Sequence, residues 1–164
     1  MKKESKVSKL EETLALYPEA SVGSFLQFLG GKSVFTDVSN IKGKFDFINI
    51  IRKGLSRKSL DYLMKYTGIS ALEMADIIHT SDRTLRRYTS DTILNPEQSE
   101  RALELARLYS RGEEVFGSLE VFKKWMDSNV MALSNKKPKE FLDTSLGIEL
   151  LMEELGRIEH GVFA

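Results

Sequence analysis

Three arginines within five residues, Arg83, Arg86 and Arg87, form the segment of this chain best suited to recognising another molecule. Arginine presents a planar fork of donors that pairs with two acceptors at once, on a guanine base or on a phosphate group. Ser81 and Thr84 lie in the same short segment. The pattern predicts a DNA-binding surface made of these five residues, and the alternative is a solvated charged helix face.

Residue types needed for other chemistries are missing or isolated. The sequence has no cysteine, which excludes disulfides and thiolate metal sites, and it has only two histidines. Gly23, Gly30 and Gly31 lack the spacing of a phosphate-binding loop. We therefore expect no enzymatic activity, no metal and no cofactor.

The arginines fall on the second helix of a predicted helix-turn-helix spanning residues 69–88. Ser70 and Glu73 have the spacing of a capping box, which starts the first helix. The turn contains His79, a residue that tolerates positive φ better than most, and Ser81 is placed to cap the second helix.

Small and apolar residues complete this unit. Ala75 is small where the two helices would cross, and Ile78 and Leu85 are expected to face the core. The whole chain is predicted to be all-α, with a helix-turn-helix DNA-binding core followed by a small helical domain.

The other predicted helices lie near residues 45–53, 56–67, 96–111, 118–127 and 144–158, with a short helical turn near 138–142. Gly112 is expected to end the long helix that starts at Pro96. In the last helix the expected core residues are Leu146, Leu150, Leu151, Leu155 and Ile158, and Trp125 and Phe141 are expected to pack in the core.

Composition and charge suggest three regions: an N-terminal arm of uncertain structure (1–44), the helix-turn-helix domain (45–111) and a helical domain with a tail (112–164). Residues 1–17 read as a charged helix or frayed arm, and 21–44 as short strands or broken helices. Residues 1–111 hold 18 basic and 14 acidic residues, a net charge of +4, while 112–164 hold 6 and 10, a net charge of −4. The positive part suits a phosphate backbone, and the acidic part suits a protein partner.

The chain ends in an apolar tail, Val162-Phe163-Ala164, after Gly161 breaks the last helix. This tail either folds back onto the body or inserts into a partner. Arg157, Glu159 and His160 precede it and are either helix-end charges or part of an interface.

From Leu94 onwards the sequence resembles the Xre/MbcA/ParS family of antitoxins. The resemblance rests on 94–101 (LNPEQSER), 113–117 (EEVFG), Trp125-Met126, 137–144 (KPKEFLDT) with Gly147, and 155–164 (LGRIEHGVFA), and it covers about residues 45–164. Residues 129–136 (NVMALSNK) depart from the family pattern. Many members have a Pro-Asn-Pro-Ala-Leu stretch with glycines at this place.

The resemblance implies an antitoxin that binds operator DNA and a cognate toxin, most often a RES-type toxin that consumes NAD. It also implies that the tail from Arg157 approaches the toxin's active-site cleft, so the expected toxin-binding residues are Arg157, Ile158, Glu159, His160, Gly161, Val162 and Phe163.

The alternative function is a plain helix-turn-helix regulator without a toxin partner. In both cases we expect a homodimer, because helix-turn-helix proteins usually contact two half-sites through a two-fold axis. No segment has the length of a membrane span or the pattern of a signal peptide, so we expect a cytoplasmic protein with no membrane partner.

Overall fold

The computed structural model describes residues 19–36 and 38–161, and its regular elements are all helical. The α-helices are α1 (Glu19–Phe28), α2 (Lys44–Lys53), α3 (Arg57–Thr67), α4 (Ala71–Ile77), α5 (Asp82–Arg87), α6 (Pro96–Phe116), α7 (Leu119–Met126) and α8 (Ser145–Glu159). Short 3₁₀ turns lie at Gly31–Ser33, Val38–Asn40, Met131–Leu133 and Pro138–Phe141. The all-α prediction is confirmed.

The region 21–44, which the sequence left open between strands and broken helices, contains α1 and two of the 3₁₀ turns. The helix or arm predicted for residues 1–17 lies outside the described residues. Within the described part of the chain, no helix is both long and apolar enough to cross a membrane.

Helix α6 runs through the centre of the molecule and packs against α1, α2, α3, α7 and α8. It begins after Asn95, whose side chain accepts a hydrogen bond from the backbone N–H of Gln98 at 2.8 Å, with Pro96 at its first position. Leu105 and Leu108 on α6 are fully buried. The first and second halves of the chain therefore share one core.

The prediction that Gly112 ends this helix is wrong, because α6 continues to Phe116 and ends before Gly117, which has a φ of +77°. Gly112 instead lies inside α6, facing the ring of Phe122 from α7. A Cβ at position 112 would lie 2.4 Å from three atoms of that ring. The glycine is thus required by packing and not by the end of a helix.

The last helix is capped as predicted, since the Thr144 side chain accepts a hydrogen bond from Gly147 N at 3.0 Å. Its core face, however, differs from the expectation, most of all at Leu146. Leu151 and Leu155 are buried, Leu150 and Ile158 are half-buried, and Leu146 is 75% exposed. Leu146 lies about 160° around the helix from the buried Ile148, so it faces away from α6.

Aromatic rings fill the space between α6 and α7. Trp125 is partly buried, with its ring centroid 5.5 Å from that of Phe116 and 5.8 Å from that of Phe122. Phe141 is also partly buried against the core. Both residues take part in the packing that the sequence predicted for them.

Candidate DNA-binding surface and C-terminal surface

Helices α4 and α5 form the predicted helix-turn-helix. Ser70 Oγ accepts a hydrogen bond from Glu73 N, and the Glu73 carboxylate accepts one from Ser70 N at 2.9 Å, which is the predicted capping box. The Ser70 backbone N–H, together with the Ser70 hydroxyl, which also donates to the Glu73 carboxylate at 2.8 Å, lowers the pKa of Glu73. The chain then turns at His79, whose φ is +56°. The predicted N-terminal cap of α4 and the turn at His79 are both confirmed.

The packing of this unit also follows the sequence. Ala75, Ile78 and Leu85 are fully buried. Because Leu85 anchors one side of α5, the opposite side of that helix faces solvent.

The three arginines lie on this exposed side of α5. Arg83, Arg86 and Arg87 occupy an arc of about 100° around the helix axis. All three are exposed. The structure therefore brings together the guanidinium groups that the sequence singled out, on a face open to a large ligand.

The two hydroxyl residues predicted for the same surface also hold the start of α5. Ser81 Oγ accepts a hydrogen bond from Thr84 N at 3.0 Å and donates one to Thr84 Oγ1 at 2.8 Å. Ser81 is thus the N-cap of α5, and its predicted place on the contact surface coincides with a structural role.

A short loop after α5 returns to the start of α3. Arg57 N donates to the Thr92 carbonyl at 2.8 Å, and Leu94 N donates to the Leu55 carbonyl at 2.8 Å. These bonds occupy the backbone groups at the start of α3 and fix the direction in which the chain leaves α5.

Arg101 of α6 joins the helix-turn-helix to the C-terminal part and was not predicted to have this role. Its side chain is 4% exposed, and its Nε donates to the Ile77 carbonyl at the end of α4 at 3.0 Å. Its Nη groups donate to the Leu142 carbonyl, to Ser145 Oγ at 3.1 Å and to Glu104 at 2.6 Å. One buried cation therefore holds three segments together.

His79 makes a second connection between the same regions. Its Nδ1 is 2.9 Å from Glu97 Oε1 and its Nε2 is 2.8 Å from the Asp143 carbonyl oxygen. These two contacts raise the pKa of His79, the Asp143 carbonyl having the larger effect. The turn residue of the helix-turn-helix is thus bound to the loop that precedes α8.

A cavity of about 310 Å³ separates α4 from α7 and the 138–141 turn. Lys139 Nζ lies 2.6 Å from Asp127 and 4.0 Å from Glu73, and the contact with Asp127 raises the pKa of Lys139. Burial raises the pKa of Tyr109, which also lines the cavity. Lys139 therefore bridges a carboxylate of the helix-turn-helix, Glu73, and one that follows α7, Asp127. Among the described residues no cluster of histidines and carboxylates has the arrangement of a metal site.

The end of α8 gathers the described residues of the predicted toxin-binding segment. Arg157 pairs with Glu154 at 2.7 Å, Glu159 pairs with Arg111 of α6, and the 74% exposed side chain of His160 contacts the Gly156 carbonyl. Ile158 is half-buried, and Gly161 is exposed with a φ of +67°. Val162 and Phe163 lie outside the described residues.

Two apolar side chains elsewhere in the C-terminal part are exposed in a way that the sequence did not indicate. Met131 is 90% exposed and Leu146 is 75% exposed. Periodicity alone placed Leu146 in the core, so only the packing direction of α8 reveals it as a surface residue.

Comparison with known proteins gives three findings. A family model described as the antitoxin Xre-like helix-turn-helix domain matches residues 46–107. A second, described as the antitoxin Xre/MbcA/ParS C-terminal toxin-binding domain, matches residues 111–161. The chain is also 29% identical to the antitoxin Xre of Yersinia enterocolitica serotype O:8 / biotype 1B (strain NCTC 13174 / 8081) over 119 residues, which are 71% of this chain and 80% of that protein.

Proposed function

The chain belongs to the Xre/MbcA/ParS family of antitoxins, and from this premise we propose that it neutralises a RES-type, NAD-consuming toxin and represses its own operon. As a type II antitoxin it is a DNA-binding regulatory protein and not an enzyme. Neutralisation is non-covalent: the toxin is held by the C-terminal domain. Repression occurs when α5 enters the major groove of the operator.

The observation that carries this proposal is that the arginine-rich surface of α5 and the surface at the end of α8 lie apart on one core. The exposed arginines lie on α5, and the start of α8 is attached to the helix-turn-helix through His79 and Arg101. The end of α8 lies about 21 Å further along its axis, since each of its residues rises about 1.5 Å. A toxin bound at the end of α8 therefore leaves α5 free to contact DNA.

We assign neutralisation to the segment from Arg157 to Phe163. The last turn of α8 is held on α6 by the pair between Arg111 and Glu159, so the described end of the segment, up to Gly161, has a defined place on the body. An apolar sequence such as Val162-Phe163 next to a held helix end suits insertion into a cleft of a partner. The acidic charge of residues 112–164 also favours a protein partner over nucleic acid.

Operator binding is assigned to Ser81, Arg83, Thr84, Arg86 and Arg87, with two copies of the chain on two half-sites. A homodimer on a two-fold operator places one α5 in each half-site. We place the protein in the cytoplasm, because its operator and its toxin would both be there.

The first experiment replaces Arg83, Arg86 and Arg87 by alanine and measures operator binding at several salt concentrations. Affinity should fall at least roughly 100-fold, because three donors to bases or phosphates are lost. The matched control replaces the exposed lysine Lys124 together with Lys136 and Lys137, which removes the same charge far along the chain and should preserve operator binding. Toxin binding should be unchanged in the arginine variant, and an equal loss of both activities would contradict the two-surface proposal.

The second experiment co-expresses the neighbouring gene product with this chain and follows association, cellular NAD and growth. The intact chain should bind the product and protect both NAD and growth. Deletion of 157–164 should abolish protection but spare operator binding. Deletion of 161–164 alone leaves α8 whole and separates loss of the tail from loss of the helix end. If the product neither binds nor lowers NAD, the chain acts as a regulator without a RES-type partner.

A further inference from the structure

A carboxylate lies at the edge of the arginine-rich face of α5, where a polyanion would approach. Asp82 is at the first position of the helix, and its side chain is 29% exposed. A negative charge in this place disfavours phosphate contacts nearby. Its presence on a DNA-binding face therefore needs an explanation beyond attraction to DNA.

Asp82 is paired with Arg86, four residues later on the same side of the helix. Arg86 Nε donates to both carboxylate oxygens, at 3.0 Å to Oδ1 and 2.8 Å to Oδ2. This contact raises the pKa of Arg86. The carboxylate therefore holds the Nε side of the guanidinium group.

The other edge of the same guanidinium group remains available. Arg86 is 71% exposed, and its two Nη groups have no hydrogen-bond partner among the described residues. Two parallel N–H donors on one edge match the O6 and N7 acceptors of guanine. Asp82 thus fixes the plane of Arg86 and leaves the guanine-reading edge facing outwards.

Arg83 and Arg87 differ from Arg86 in this respect. Both are exposed on α5, and in the part of the chain that the structure describes neither forms an ion pair. A long, unrestrained arginine can follow a phosphate wherever the backbone runs, whereas a restrained one is selective for an acceptor pair in one place.

We propose that Arg86 reads a guanine in the operator and that Asp82 is the positioning residue that confers this specificity, while Arg83 and Arg87 contact phosphates. The inference rests on the proposed operator binding and names the residue pair that discriminates bases within it. Asp82 acts through Arg86: it prevents the guanidinium group from turning to a nearby phosphate, and it orders the side chain before DNA arrives.

This role differs measurably from a purely structural one. If Asp82 only stabilised the short helix, its loss would weaken binding to every DNA sequence. If it positions Arg86, its loss should release Arg86 to phosphates, so that binding to random DNA is kept or strengthened while base discrimination falls.

The test selects binding sites from a randomised duplex DNA library with the full-length chain and with the Asp82→Asn and Arg86→Ala variants. The wild-type chain should enrich a motif with a guanine at one position of each half-site. In both variants the preference for guanine over the other bases at that position should be roughly tenfold lower than in the wild type. Asp82→Asn should bind unselected random duplex at least as tightly as the wild type, and Arg86→Ala should bind it more weakly.

Asp61→Asn is the matched control, because Asp61 pairs with Arg57 four residues away in α3 and its loss changes the charge equally. It should keep the wild-type motif. If Asp82→Asn keeps the full guanine preference while Arg86→Ala loses it, the positioning role of Asp82 is overturned and guanine reading by Arg86 stands. Failure of the wild-type chain to enrich any motif overturns the proposed operator binding and this inference together.

Discussion

At the scale of single residues, His79 combines a strained backbone with two side-chain contacts. Both of its ring nitrogens face acceptors, the Glu97 carboxylate at 2.9 Å and the Asp143 carbonyl at 2.8 Å. A neutral imidazole has one N–H and can satisfy only one of them, whereas the protonated ring donates to both. The geometry therefore favours the cationic form, in agreement with the raised pKa of His79.

This contact makes stability depend on pH. The pKa of His79 is raised above 6.5 in the folded chain, so its contribution is complete below that value and is lost as the pH rises through the folded pKa. We expect the stability advantage of the wild type over His79→Asn to shrink as the pH is raised from below 6.5 to well above it. Asparagine is chosen because it also tolerates positive φ.

Urea unfolding of both chains across this range measures the effect. Glu97→Gln should weaken the dependence without removing it, because the Asp143 carbonyl, the larger cause of the shift, remains. A constant difference between wild type and His79→Asn at every pH would contradict the assignment.

At the scale of elements, the contact between α6 and α7 depends on a missing side chain. The fully buried ring of Phe122 occupies the space beside Gly112, where even a methyl group would lie 2.4 Å from ring atoms. Glycine is unfavourable in a helix by about 1 kcal/mol relative to alanine. The close approach of α7 is therefore retained at the expense of helix propensity in α6.

Gly112→Ala should lower the free energy of unfolding by up to about 2 kcal/mol, because the overpacking cost of about 1 to 3 kcal/mol is offset by a gain of only about 1 kcal/mol in helix propensity. Gly156→Ala is the matched control in α8, where no described heavy atom outside the adjoining helix backbone lies within 4 Å of the added Cβ. It should stabilise the chain by up to about 1 kcal/mol. Thermal unfolding of the two variants should move Tm in opposite directions, and a rise for both would refute the packing argument.

At the scale of the whole molecule, Arg101 unites the DNA-binding and toxin-binding parts. It is buried in α6 and its hydrogen bonds reach α4, Leu142 just after the 138–141 turn, and the start of α8. A buried cation of this kind is stabilising only while all its partners are present. The two functional parts should therefore unfold together.

Arg101→Met should lower the free energy of unfolding by about 3 to 5 kcal/mol, since it leaves the Ile77 and Leu142 carbonyl groups without their donor and Glu104 without its cationic partner. Denaturant unfolding followed by Trp125 fluorescence and by helical circular dichroism would measure this, and the two wild-type transitions should coincide. Arg111→Ala removes a partly exposed arginine of the same helix and should cost less than about 1 kcal/mol. Similar losses for both variants would show that Arg101 is not the link.

The sequence by itself determined the features that depend on residues close along the chain. The capping pair Ser70 and Glu73, the positive φ of His79 and the buried Leu85 follow from rules that reach no further than one turn of helix. The spacing of Asp82 and Arg86 was also readable as an i,i+4 pair, although nothing local shows which edge of the guanidinium group stays open.

Only the tertiary structure decided which distant groups meet. Gly112 was interpreted as a helix end because its partner, the ring of Phe122, belongs to another helix. Arg101 gave no sign of its role because its acceptors at Leu142 and Ser145 are more than 40 residues away. Leu146 had core spacing yet is exposed, because periodicity gives the width of an apolar face but the packing of α8 on α6 sets its direction.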